Sequence, residues 1–568
     1  MILKALYDYY HRSDNLPPLG TELKEIHYII VIDKDGKFIR LEDCKIGKKE
    51  HLSFLVRKSV DRTSADAAWF LYDKSEYVFG FPESDKSQSR FNCFKEKIHD
   101  IAKLAPENTD VKALCEFYKQ NSRDIIQTLE SDPLWKDLSK KAATNNILFS
   151  FRIEGDTKIV AEKDELIKLD RNSNNNSEDT ICLITGDKCY PVKTTSAIMI
   201  PGSLIKAKLV SFQVNSGYDS YGKEKGLNAP ISEEAEFAYS TALKHMLSKE
   251  SRNKFMLGKR TFVFWASSNG EAARQAEDEM FQMFGFATNE NTDDPNKGIM
   301  QVRKVFEAIY SGKLDTKDDD KFYILGLAQN VSRIAVVYWQ ETPLKDFAAM
   351  ILKHFEDMEV VDTRKEKKPY AGLHSMLGAV TLGGKSSDAT PNLPEATAKS
   401  IFQGLPYPYT LYTSCIRRIM AEQQLTITRV AVLKAYLSRI NNNLKIATML
   451  DNENTNQGYL LGRLFATLVK IQEDANGIDS MRERYMNAMS TTPAAVLSTI
   501  LNLSVHHSTK LAAGKAVFYE KLKQEIIEKM SSKNIPTHLD LQEQGLFFIG
   551  YYHQRQDFFT RKLAETEE

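Results

Sequence analysis

The densest collection of side chains with binding chemistry is residues 209–233, LVSFQVNSGYDSYGKEKGLNAPISE. Ser216, Gly217, Gly222 and Gly226 carry so little bulk that another backbone can come close. Tyr218 and Tyr221 offer rings that stack on bases, and Lys223 and Lys225 offer cations for phosphates. Gln213, Asn215 and Asn228 pair donors with acceptors, which suits base edges, and Ser220 adds a hydroxyl. This is the set a nucleic-acid loop needs, and equally the set of an ordinary structured loop. A second stretch, residues 54–81, reads FLVRKSVDRTSADAAWFLYDKSEYVFGF. Arg57, Lys58, Arg62 and Lys74 supply positive charge there. Thr63 and Ser64 either donate to phosphate oxygens or cap a helix beginning at Ala65. Lys34, Lys37, Arg40, Lys45, Lys48 and Lys49 make the preceding region locally basic, which favours the phosphate reading.

Catalytic motifs fail on spacing or context. Gly378 to Ser386, GAVTLGGKS, resembles a phosphate-binding loop, but the position five before Gly384 is Ala379. Two prolines between Asp388 and Pro394 stand where a helix N-terminus would have to hold the phosphate, so a flexible linker is the better reading. His99-Asp100 is a lone pair on a charged helical stretch, without the further ligands a metal-activated water requires. His506-His507 ends an apolar helix near Lys510 and has no third ligand. The six cysteines, Cys44, Cys93, Cys115, Cys182, Cys189 and Cys415, form no CxxC pair and read as reduced thiols. GxSxG, HExxH and GxGxxG are absent. The expectation is a protein without catalytic centre, cofactor or metal. The competing readings are a nuclease, which would destroy substrate without partners, and a scaffold that touches protein only.

Composition limits how such loops can work. The 568 residues carry 76 Lys plus Arg and 76 Asp plus Glu, so the formal net charge is zero. A wholly electrostatic nucleic-acid binder is normally basic. Any such role must rest on local patches or on partner subunits. No apolar run is long enough to span a bilayer, and MILKALYDYYHR lacks a signal-peptide pattern, so a soluble, cytoplasmic protein is expected.

The elements that must position these residues come in two styles. Residues 1–12 have helical spacing, with Ile2, Leu3 and Leu6 on one side. HYIIVID, DKDG and KFIRLED read as a hairpin. HLSFLV, NNILFSFRIEG, ICLITG, AKLVSFQV, RTFVFWAS, KFYILGLA and RIAVVYW read as strands, and residues 91–130 as one or two amphipathic helices. The stretches within 168–180 and at 289–298 are polar and read as exposed loops. After the Gly- and Pro-rich residues 378–410, seven segments with helical spacing run to the end, separated by short polar breaks. The expected class is α+β, with a mixed strand and helix N-terminal region followed by an all-α C-terminal helical bundle. The expected domains are 1–380, a linker at 381–410, and a helical bundle at 411–568.

Ten strings in one order carry a resemblance. They are MILKALYDYYHR, EIHYIIVIDKDGKFIRLED, RTSADAAWFLYDKSEYVFG, CLITGD, LVSFQVNSGYDSYGKEKGLNAPISE, the Phe264-Trp265-Ala266 strand, FYILGLAQNVSRIAVVYW, GLPYPYTL, GYLLGRLFATLVKIQ and LQEQGLFFIGYYHQRQDFF. From Met1 to about Phe559 the chain resembles the large subunit of type I-C CRISPR Cascade. Departures exist: Gln213 stands where the family usually has Asn, Lys225 where its loop often has Gln, and the segment after CLITGD diverges. These departures bear on base-level specificity more than on overall role.

The resemblance implies a non-catalytic subunit of an RNA-guided antiviral complex. Such a subunit sits beside the one that holds the 5′ end of the guide RNA, among guide-bound backbone subunits. It reads a protospacer-adjacent motif in target double-stranded DNA, helps form the R-loop, and recruits a separate helicase–nuclease. Guide pairing then reads the remaining sequence. Under this reading Lys58, Arg62, Thr63, Ser64 and Lys74, together with the 213–228 loop, are the expected DNA contacts. Arg463, Arg482, Arg484 and Arg555 are candidates for the displaced strand, or else surface salt bridges of the bundle. The resemblance further implies a small subunit translated internally from Met449 or Met420.

Overall fold

The computed structural model describes the chain except residues 48–49, 61, 63–65, 145–146, 170–179, 213–218, 220, 258, 285–298, 365–369, 442–444, 531–534 and 568; at 144, 299 and 561–567 only the backbone is described. The Asn-rich loop at 168–180 lies mostly, and that at 289–298 wholly, outside the described residues. Two compact units emerge: one comprises Ser13–Ser196 and Phe212–Ala242, the other Met1–Arg12, Ala197–Ser211 and Leu243–Glu568.

The smaller unit is built on a four-stranded sheet in the order Phe38–Asp43, Tyr28–Ile32, Leu148–Ile153, Tyr72–Lys74. Tyr28–Ile32 and Leu148–Ile153 run parallel, and the other two pairings are antiparallel. A parallel pair needs a long crossover, and helices Asp85–Leu104, Thr109–Phe117 and Ser122–Glu130 lie within it. The helices number three where spacing suggested one or two. Ser84, Asn108 and Asn121 each accept a backbone N–H at a new helix start, so capping divides the run. All five residues of Tyr28–Ile32 are buried, which explains their continuous β-branched run. The DKDG turn forms as expected. The Asp33 carboxylate accepts from the Asp35 and Lys37 backbones, and Gly36 has φ 76°. A Cβ there would lie 2.5 Å from the Ala113 carbonyl oxygen, so this turn is docked on helix Thr109–Phe117 and requires glycine. The strand read in HLSFLV is Ser53–Arg57, and it pairs with Thr21–Glu25 in a separate ribbon.

The larger unit carries a six-stranded sheet ordered Lys254–Leu257, Arg260–Ala266, Lys321–Asn330, Arg333–Pro343, Ala207–Lys208, Ala197–Ile198. Alternation sends Phe262, Phe264, Phe322 and Ile324 to one face, where they share a core with helices Glu271–Phe284, Ile299–Tyr310 and Leu344–Met358. ICLITG and AKLVSFQV promised longer strands than Thr180–Ile181 and Ala207–Lys208, because composition shows a willing strand but not whether an edge is available to pair it. The seven C-terminal helices are Tyr409–Glu422, Ile427–Ile440, Gln457–Asn476, Ser480–Thr491, Pro493–Ser508, Ala513–Glu528 and Leu541–Glu567. The fold is α+β, with strands gathered in the N-terminal half and helices dominating the C-terminal region. Residues 381–410, expected as a linker, contain helix Leu393–Gln403. Its Leu393, Ala398, Ile401 and Phe402 belong to the core that the sheet shares with the C-terminal helices. The loop-like composition sits at its ends: Pro394 at the first turn, and Asn392 and Gly404 in left-handed backbone flanking it. The phosphate-loop lookalike begins in the last turn of helix Leu373–Ala379 and runs into two short 3-10 turns, an order without the strand–loop–helix a nucleotide site needs.

Candidate nucleic-acid interface

Within the smaller unit, Asp219 closes residues 221–228 into a loop. The Asp219 carboxylate accepts from the Asn228 side-chain amide at 3.3 Å and the Lys225 backbone at 3.4 Å. The Asn228 amide also donates to the Lys223 carbonyl at 2.8 Å. Gly226 anchors the base of the loop, since a Cβ there would lie 1.8 Å from the Val192 carbonyl oxygen. Ser232 donates its backbone N–H to Cys182 Sγ at 3.4 Å, tying the following turn to the CLITGD segment. Burial pushes the Cys182 thiol up, but backbone N–H groups of Ser232, Thr185 and Ile184 outweigh it and bring it to about 7. Outside the clasp stand the side chains of Tyr221, Lys223 and Glu224, with Gly222 after Tyr221. Tyr221 is 100% exposed, in left-handed backbone at φ 55°, and Gly222 has open space around it. The loop therefore holds a bare aromatic ring and a cation in solvent, with the Glu224 carboxylate next along the chain, and the ring and cation are able to stack on a base and meet a phosphate. Asn228 is a clasp rather than a free base reader, and Lys225 lies partly sheltered at the loop base. Gln213, Asn215, Tyr218 and Ser220 lie outside the described residues.

The basic stretch at 57–74 is organised differently. Lys58 donates to Ser196 Oγ at 2.8 Å, pairs with Glu236 at 3.4 Å, and sits 5.3 Å from the Phe237 ring. It fastens the end of strand Ser53–Arg57 to helix Glu233–Leu247. The Arg62 guanidinium lies between two rings, 4.3 Å from Trp69 and 3.9 Å from Tyr77. Its Nε donates to the Ala67 carbonyl at 2.6 Å, and it is paired with the fully buried Asp73. Lys24 lies 4.7 Å over the Trp69 ring, and Arg90 lies 5.4 Å from Tyr77. Cations and rings thus alternate from Lys24 to Arg90, with Glu22, Asp66, Asp73 and Glu76 balancing the charge. Burial raises the Asp73 carboxyl above its ordinary range, against the pull of Arg62. Lys74, half-buried at the end of strand Tyr72–Lys74, is lowered by burial and then by Arg62. Sequence counting took Arg62 as a phosphate contact; its donors are engaged inside the fold. The sequence signal for the ladder is the alternation of Arg62, Trp69 and Tyr77, with Asp66 and Asp73 interleaved. Thr63 and Ser64 lie outside the described residues.

The C-terminal arginines separate on burial. Arg463 has no exposure: Nε donates to Gln554 at 3.1 Å and Nη2 to Asn452 at 3.0 Å. It cannot reach a strand outside the protein, and it is no surface salt bridge either, because its helix position is fully enclosed. Arg482 is held by Asp479 and the Gln423 carbonyl, and Arg555 by Glu473 at 2.7 Å. Of the four, only Arg484 is exposed.

Among the described residues, no group of three or more His, Cys, Asp or Glu side chains is placed to hold a metal ion, and no helix is long and apolar enough to cross a membrane. His99 faces Cys115 at 4.0 Å, while Asp100 pairs with Lys103 on the same helix. The family model described as CRISPR-associated protein (Cas_Csd1) matches residues 6–559. No curated protein matches the chain.

Proposed function

The chain belongs to the Csd1 family of CRISPR-associated proteins, the family of type I-C Cascade large subunits, and on that premise we propose that it is the non-catalytic DNA-contacting subunit of such a complex. It binds target double-stranded DNA, recognises the protospacer-adjacent motif, promotes R-loop formation and recruits the helicase–nuclease. Its partners are the guide-RNA-bound backbone subunits, the subunit holding the guide 5′ end, and a small subunit translated internally from Met449 or Met420. It works in the cytoplasm.

The observation that best supports this reading is the clasp of Asp219 on residues 221–228, which presents Tyr221 and Lys223. Exchange of a DNA duplex for a guide–target duplex is close to balanced, so a few such contacts suffice to tip it. Local contacts also agree with a chain of zero formal charge. The test is the salt dependence of DNA affinity in the assembled complex carrying Lys223→Ala. Losing one phosphate contact flattens the log–log slope by about 0.9. An unchanged slope removes Lys223 from the interface.

A scaffold-only role finds support in one place. Lys58 and Arg62 are engaged in internal pairs, so the 57–74 stretch serves as framework even where the loop serves as reader.

A further inference from the structure

The hairpin that joins strands Lys321–Asn330 and Arg333–Pro343 turns through Val331 and Ser332, with Asn330 paired to Arg333. A two-residue hairpin turn calls for positive φ, which Gly or Asn adopts without strain. Here the position is Val331, at φ 52°. A β-branched residue in left-handed backbone is a steric outlier. The side chain so held is 74% exposed. The turn is therefore costly twice over, once in strain and once in bare apolar surface.

A second segment joins it. Gln329 Nε2 donates to the Ile205 carbonyl at 3.1 Å and to the Val331 carbonyl at 3.0 Å, and the Lys208 backbone donates to Ser332 at 3.1 Å. That places residues 204–206 beside the turn. Leu204 is 97% exposed and Ile205 51%. The result is an aliphatic knob made from two segments of one unit. Residues 199–208 contain Lys206 and Lys208 but no Asp or Glu. In a chain of zero net charge this leaves a positive rim around an apolar centre.

We propose that this knob is a docking site for another protein subunit, which receives Leu204, Ile205 and Val331 in an apolar pocket rimmed by carboxylates. The inference rests on the reading of the chain as a complex subunit. Protein interfaces place an apolar core inside a polar rim, and the knob has that arrangement. Aliphatic side chains fit a protein pocket. A nucleic acid would be met by stacking rings, and the knob has none.

The test places a photoreactive benzophenone side chain at position 331 of the full chain, in the complex assembled from its co-expressed subunits, with and without target DNA. Irradiation should attach it to one other subunit, at a peptide rich in apolar residues flanked by Asp or Glu. Leu204→Asp with Val331→Asp should cut retention of the chain in the complex by about tenfold, because two carboxylates then face a pocket rimmed by carboxylates, while the melting temperature stays unchanged. Val331→Gly, which relieves the strained turn but removes the side chain, should weaken retention without destabilising the chain. An adduct on DNA, on a second copy of this chain or on this chain alone overturns the proposal, as does an intact complex with no adduct. If the unsubstituted, folded chain joins no complex at all, the subunit reading falls together with it.

Discussion

At the scale of single residues, charge is a poor guide until burial is known. Arg62 and Lys223 look alike in sequence, yet one is stacked between Trp69 and Tyr77 and the other stands in solvent. Arg62→Ala leaves Asp73 buried without its cation. Breaking a buried pair costs about 3 kcal/mol, and chemical denaturation of the chain should show it. The sign of the pH effect follows from Asp73, whose pKa is raised by burial and held back by Arg62. Removing Arg62 raises it further, so the deficit shrinks as pH falls and Asp73 takes up its proton. Arg62→Lys keeps the charge but loses the planar fork between the rings, and should recover only part of the loss. If Arg62 instead meets phosphate, these variants will change the salt slope of DNA binding and leave stability alone. The ladder was only partly legible in the sequence: residue types and alternation were there, but nothing local told which cations face inward.

At the scale of elements, helices were read more reliably than strands. A helix closes its own hydrogen bonds, so spacing within one segment suffices, and all seven C-terminal helices stand where the spacing put them. A strand depends on a partner elsewhere, and Thr180–Ile181 and Ala207–Lys208 stay short for that reason. What spacing could not show is how closely helices approach. Helices Gln457–Asn476 and Leu541–Glu567 meet through glycines. A Cβ on Gly462 would lie 2.0 Å from the Phe547 carbonyl oxygen, and one on Gly550 would lie 2.2 Å from that of Tyr459. Gly458 meets Glu543 in the same way at 2.4 Å. These are backbone contacts, so no side chain can swing aside. Gly462→Leu should therefore cost about 3 kcal/mol or more through overpacking, visible as a lower melting temperature, whereas Gly514→Ala, at an exposed position of helix Ala513–Glu528 with open space around it, should cost far less. A variant at Gly462 as stable as the parent would show that the two helices do not pack this way. The seam also bears on the small subunit proposed above to start internally, since a piece beginning at Met449 would keep both helices. Intact mass of the purified complex should reveal that fragment, and its absence would remove it from the partners.

At the scale of the whole molecule, the larger unit has one core running from the sheet into the bundle, and its acid sensitivity should be shared across both. His354 lies fully inside that core. It donates one ring N–H to the Ala371 carbonyl at 2.7 Å and meets the Tyr407 hydroxyl at 2.6 Å with the other nitrogen. Burial lowers it to about 4, and His553 to about 3. Both are neutral in the fold, whereas the unfolded chain takes up protons near pH 6.5. Stability is thus complete above pH 6.5 and falls as pH drops toward 4, by about 3 kcal/mol for His354 alone. His354→Gln should flatten that dependence in denaturation curves at pH 7 and pH 5, and an unchanged dependence would mean that His354 is already protonated in the fold. Family membership was legible across the chain because ten short strings kept their order, while the loop that carries the DNA reading was legible in residue type alone. That Asn228 clasps and Tyr221 protrudes comes from Asp219 and from the close approach of Gly226 to Val192. The most direct test of the central claim is equilibrium binding of duplexes with and without the protospacer-adjacent motif by the assembled complex carrying Tyr221→Ala. The account predicts intact assembly and a ratio of the two affinities reduced by about tenfold, the worth of one lost base stack. Unchanged discrimination in an intact complex would contradict it and move duplex recognition away from this loop.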